Sequence, residues 1–188
     1  MTDLLESHLR GGVWHSTHPD RLISIMRGGL DPEPPLPDGE RWKTALGPEF
    51  YSFVRVLGGV SLFDFSNFDP EEYAKSHPLS SWETFVPHRN DWGSAAWINI
   101  DWKALGDQFI SADELVRRWD EGGYHKHTLM PRIECACIGI VPVSLFQSAF
   151  LVWSNGDEMC EVRVHPFSES DFQEQRANLK PSSGGQLG

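Results

Sequence analysis

Apolar positions fall in short runs whose spacing changes along the chain. Val13-Trp-His-Ser16 is a brief apolar stretch before a turn and predicts a strand. Pro19 to Arg27 places Leu22, Ile25 and Met26 on one helical face, with Pro19 at the first position and Gly28-Gly29 as the stop. Gly59 to Phe65 predicts a strand, and Asp69-Pro-Glu-Glu-Tyr-Ala-Lys75 predicts a helix start with Asp69 as N-cap. Ala95 to Ile100 predicts another strand. Ser111 to Trp119 predicts a helix opened by a capping box of Ser111 and Glu114. Three further strands are expected at Ile133 to Val141, Ala149 to Trp153 and Glu158 to Val164. Strands outnumber helices, with helices mostly early and strands mostly late, which points to an α+β domain.

The length of 188 residues suits one domain, assigned to 1–167. Two polar segments interrupt the pattern. Asp31-Pro-Glu-Pro-Pro-Leu-Pro-Asp-Gly39 reads as an extended linker, and the Gly/Ser-rich end from 168 to 188 reads as a flexible tail.

Composition narrows the function classes. Lys+Arg 16 against Asp+Glu 27 gives a formal charge of −11, which argues against a general binder of nucleic acid or anionic membranes. It leaves room for an enzyme that handles one nucleotide locally. The three cysteines form no disulfide framework and read as small buried hydrophobes in a reducing cytosol. The N-terminus lacks the apolar core of a signal peptide, and no stretch approaches the roughly 20 apolar residues of a spanning helix. A cytoplasmic protein without membrane association is expected.

Three places carry candidate chemistry. His15, at a strand end followed by Ser16, Thr17 and a helix start, either presents its imidazole and hydroxyl neighbours to a ligand or merely sits at a surface turn. Glu134 heads the most apolar run of the chain. It lies either at that strand's wet mouth or buried with a shifted pKa. Between Glu121 and Arg132 lies a polar loop, expected to be mobile, with two glycines, Tyr124, His125, Lys126 and His127. Two histidines at that spacing make no full ligand set, so no metal is expected. The eight tryptophans and eleven phenylalanines lack the basic interleaving of a nucleic-acid platform.

Together these pieces resemble the ADP-ribosyltransferase fold. Its first strand ends in His-x-Thr, as His15-Ser-Thr17 does here, before a helix leading to Gly29-Leu30. Its middle strand brings a small hydroxyl residue and then a helix with an aromatic, matched by Ser61 and Tyr73. Its late strand opens with the catalytic glutamate, matched by Glu134 in the run from Arg132 to Phe146. The small bacterial and phage members near the DNA-modifying toxin branch look closest. The resemblance implies split antiparallel sheets with short helices and NAD as co-substrate. It also implies a macromolecular acceptor, protein side chain or nucleic-acid base, and a toxin, effector or anti-defence role with an antitoxin or inhibitor partner. Glu134 would stabilise the oxocarbenium-like ribose. His15, Ser16 and Thr17 would hold the adenosine half, Tyr73 or another aromatic would stack on nicotinamide, and Tyr51, Arg55 and Ser61 would complete the NAD pocket. Arg132 stands two residues before Glu134, where arginine-modifying members carry Glu or Gln.

Two other readings compete. RNA 2′-phosphotransferases also resemble the His-x-Thr strand, but they grip phosphate with several cations rather than one glutamate. A non-enzymatic module of the same fold would use its acidic surface to bind a partner. A two-histidine phosphoesterase needs a second His-x-Thr/Ser, which the chain lacks.

Overall fold

Alternation along the strands sorts the apolar residues onto two faces of a single sheet. The computed structural model describes residues 8–36, 49–80, 82–89, 92–153 and 158–178. Its strands are β1 (Val13–Thr17), β2 (Gly59–Asp64), β3 (Ser94–Ile100), β4 (Phe109–Ile110), β5 (Glu134–Ile138), β6 (Phe146–Trp153) and β7 (Glu158–Val162). They pair antiparallel in the order β4-β5-β2-β1-β3-β6-β7. The α+β class is therefore as expected. Two separate sheets are not what the hydrogen bonds form, because β1 pairs with both β2 and β3 and joins the halves. The β1–β2 ladder holds only Val13↔Asp64 and Trp14↔Phe63, whereas β1 stays paired with β3 through Thr17↔Ala96. Beyond Trp14, β1 parts from β2 inside one sheet.

One face of the sheet is mainly aliphatic. Val13, Val60, Leu62, Ile98, Cys135, Cys137 and Leu151 pack there under α1 (Leu22–Gly28). Burial pushes the thiols of Cys135 and Cys137 up, as suits inert core positions. The opposite face is aromatic: Trp14, Phe63, Phe65, Phe68, Trp82 and Trp97 interlock there. Pro19–Arg21 is a 3-10 turn rather than the first turn of the helix, since His18 Nδ1 caps Asp20 N and the α-helical pattern starts only at Leu22. Gly29 ends α1 with φ +87°, and a β-carbon there would collide with the carbonyl of Val141.

Local capping works much as the sequence predicts. Asp69 accepts from the N–H groups of Glu71 and Glu72 at the start of α3 (Pro70–Ser76), which follows the one-turn α2 (Phe53–Val56). Ser111 accepts from Glu114 N at the start of α4 (Ala112–Glu121). The return half of that capping box is absent because Arg117 and Arg118 take the Glu114 carboxylate. No helix among the described residues is long and apolar enough to cross a membrane.

The end of the chain departs from the expected tail. Glu169–Asn178 is a helix, α5. Phe172 is 1% exposed in the aliphatic core, and Arg27 holds both oxygens of Glu169 at 2.7 and 2.8 Å. Arg176 pairs with Asp20. Polar composition hid a helix anchored by one aromatic residue. Residues 179–188, and Pro37 to Gly39 of the expected linker, lie outside the described residues. Phe172→Ala should lower unfolding free energy by about 3–5 kcal/mol in urea titration. A loss below about 1 kcal/mol would mean that the helix is not part of the cooperative core.

Candidate functional site

Where β1 parts from β2, side chains take over from the backbone ladder. His15 Nδ1 donates to the carbonyl of Ser61 at 3.0 Å. The Ser61 hydroxyl donates to Glu134 Oε1 at 2.6 Å. Ser61 faces the same side as Glu134 because it is diagonal to the cross-strand pair Phe63↔Glu134. The other carboxylate oxygen, Oε2, accepts from Met130 N at 3.0 Å. Glu134 is 3% exposed. The sequence left open whether this acid was wet or buried, and it is buried.

Electrostatics follow from that burial. Desolvation raises the Glu134 carboxyl above its usual range, against the pull of the Ser61 and Met130 hydrogen bonds. Desolvation also lowers His15 to about 4, helped by the charge of Arg21 and opposed by the bond to Ser61. His15 is therefore a neutral imidazole with its proton on Nδ1, leaving Nε2 as an acceptor.

A cleft of about 480 Å³ opens over this pair. It gathers His15, Ser16, Thr17, Ser61 and Glu134 from three strands, as the sequence reading grouped them. Tyr51, Arg55 and Tyr73 are absent from its lining. The Arg55 guanidinium lies over the Tyr51 ring, 4.5 Å from its centroid. Tyr73 is stacked on His77 at 4.7 Å and hydrogen-bonded to Ser80 at 2.9 Å. It faces a smaller adjoining cavity of about 180 Å³, together with Asp64, Asp69 and Arg132. Arg132 turns into that cavity because it sits before β5 at φ +60°, outside the strand alternation. The expected helix start beyond Thr17 is the 3-10 turn, so Arg21 rather than a row of helix N–H groups faces the cleft.

Sequence reasoning missed the far wall. Phe85, Arg89 and Trp92 come from the irregular segment before β3, which has no periodicity to betray it. Trp97 Nε1 donates to the Pro87 carbonyl at 2.7 Å and pins that segment to the sheet. Phe63, paired across strands with Glu134, brings its ring to 5.9 Å from that of Phe85 in the cleft lining. Arg21 and Arg89 flank Trp92, with centroid distances of 6.0 and 4.9 Å. Among the described residues of the lining, Arg21, Arg89 and Lys126 are the formal cations and Glu134 is the carboxylate.

The loop before β5 is hydrogen-bonded to distant segments at His127 and Thr128. Phe53 N donates to Thr128 O at 2.9 Å, Trp119 Nε1 to His127 O at 2.9 Å, and His127 Nδ1 to Tyr51 O at 3.1 Å. These long-range bonds are invisible to a composition count. Among the described residues, no group of three or more His, Cys, Asp or Glu side chains could hold a metal ion.

Two titrations check this site. His15 should titrate near 4 by NMR; a midpoint near the ordinary 6.5 would mean a solvated ring. The folded chain holds the Glu134 proton more tightly than the unfolded chain does. That contribution is complete below the ordinary carboxylate range and is lost as pH rises through the raised value. Glu134→Gln cannot ionise, so its Tm should gain on wild type as pH rises above the ordinary carboxylate range. A Tm difference independent of pH would contradict the buried carboxylate. Set against known proteins, the chain matches no family model and no curated protein.

Proposed function

We propose that the chain is a mono-ADP-ribosyltransferase that takes NAD as co-substrate and transfers ADP-ribose to a macromolecular acceptor. The single observation that carries this reading is the Ser61-linked pair. A neutral imidazole and a buried carboxylate are fastened to one residue, His15 through its carbonyl and Glu134 through its hydroxyl, at the floor of a cation-walled cleft.

The chemistry suits these groups. Nicotinamide leaves NAD as a neutral ring, so its departure needs no general acid. The ribose passes through an oxocarbenium-like state, which a preorganised carboxylate stabilises in a desolvated site. Glu134 has that role, and the cationic nicotinamide riboside draws it into its charged form. His15 Nε2 accepts a ribose hydroxyl, with Ser16 and Thr17 beside it. Phe63 and Phe85 stack on nicotinamide, the task expected of Tyr73 or another aromatic. Arg21 and Arg89 face the diphosphate. The acceptor is a protein side chain or a nucleic-acid base, and the setting is that of a cytoplasmic toxin, effector or anti-defence factor with an inhibitor partner.

The three cations and three histidines of the lining favour a second reading, the RNA 2′-phosphotransferase reaction, which also consumes NAD. Transfer of phosphate from 2′-phosphorylated RNA tests it directly. An acidic interaction module would bind no NAD at all.

The deciding assay is nicotinamide release from NAD by the purified chain. Glu134→Gln should reduce it by about 10²–10³-fold or more with the fold intact by circular dichroism. Wild-type turnover in that variant would overturn the assignment.

A further inference from the structure

We propose that His127 is the general base that removes the proton of the acceptor nucleophile. The inference rests on the ADP-ribosyl-transfer reading and adds a residue to it.

Transfer leaves one proton to be placed. The acceptor X–H attacks C1′ of the ribose, the C1′–N bond breaks, and its electron pair goes to the nicotinamide nitrogen. The X–H proton must then move to a base on the acceptor side. Glu134 already has the ribose to stabilise in this chemistry, with Oε1 held by Ser61 and Oε2 by Met130. Three other cleft side chains are imidazoles. His15 is held neutral at about 4, which makes it a weak base. His125 directs Nε2 at Asp120 Oδ1, 3.1 Å away.

His127 differs from both. Tyr51 O is an acceptor, so Nδ1 of His127 carries the hydrogen, and the neutral ring keeps its lone pair on Nε2. No described protein group bonds that nitrogen. Tyr51, at 5.2 Å, and Phe50 and Tyr124, at 6.1 and 6.2 Å, surround the ring and hold its orientation. The residue lines the cleft and lies three positions before Met130, whose N–H holds the carboxylate. That separation is at most about 11 Å of chain. A backbone carbonyl that fixes the tautomer and a lone pair left on a cleft wall are the requirements of a general base.

The test uses the full chain, with nicotinamide release from NAD and water as acceptor. His127→Asn keeps a side-chain N–H for Tyr51 O but has no basic nitrogen. It should lose about 10²-fold or more in kcat with KM for NAD unchanged. Imidazole in the buffer should restore turnover to His127→Ala and not to Glu134→Gln. Independently of activity, long-range ¹H–¹⁵N spectra should show the Nδ1–H tautomer at His127. Wild-type kcat in His127→Asn, a rise in KM alone, failure of imidazole rescue, or an Nε2–H tautomer would each overturn the role. Release that persists in His127→Asn yet vanishes in Glu134→Gln overturns the role and leaves the transferase reading standing. A wild type that releases no nicotinamide overturns both.

Discussion

The site depends on one residue doing two jobs. Ser61 offers its carbonyl to the His15 ring and its hydroxyl to the Glu134 carboxylate, with bonds of 3.0 and 2.6 Å. A buried carboxylate costs several kcal/mol unless donors meet it, and an imidazole needs a fixed acceptor to settle on one tautomer. Both needs are met where β1 leaves β2 after Trp14↔Phe63.

The surrounding sheet makes the gap affordable. Its aliphatic face is closed by α1 and by α5 through Phe172, and its aromatic face by the interlocked Phe63, Phe65, Phe68 and Trp97. Burial on both faces holds the strands in register while two of them part locally. In the irregular segment ahead of β3, Pro87 is tied to the sheet by Trp97, close in sequence to Phe85 and Arg89 of the cleft lining.

Charge is divided in space. The chain carries −11 overall, yet Arg21, Arg89 and Lys126 share with Glu134 the described lining of the cleft. The same cations sit close enough to matter at His15, where Arg21 helps to keep the ring neutral.

By itself, the sequence determined the α+β class, the positions of the main strands, the caps at Asp69 and Ser111, and the membership of His15, Ser16, Thr17, Ser61 and Glu134 in one candidate site. These rest on short-range periodicity, on local hydrogen bonds and on a motif order that reads along the chain. Tertiary structure alone decided the rest. Tyr73 was packed on His77 beside a second cavity, and the Tyr51 ring was placed under the Arg55 guanidinium and against His127. The polar end became a docked helix because Phe172 found a core that sequence neighbours do not supply. Phe85, Arg89 and Trp92 joined the wall, and His127 acquired its tautomer, through bonds to residues far away in the chain. Such partners have no spacing to read, because they exist only once the sheet has brought distant segments together.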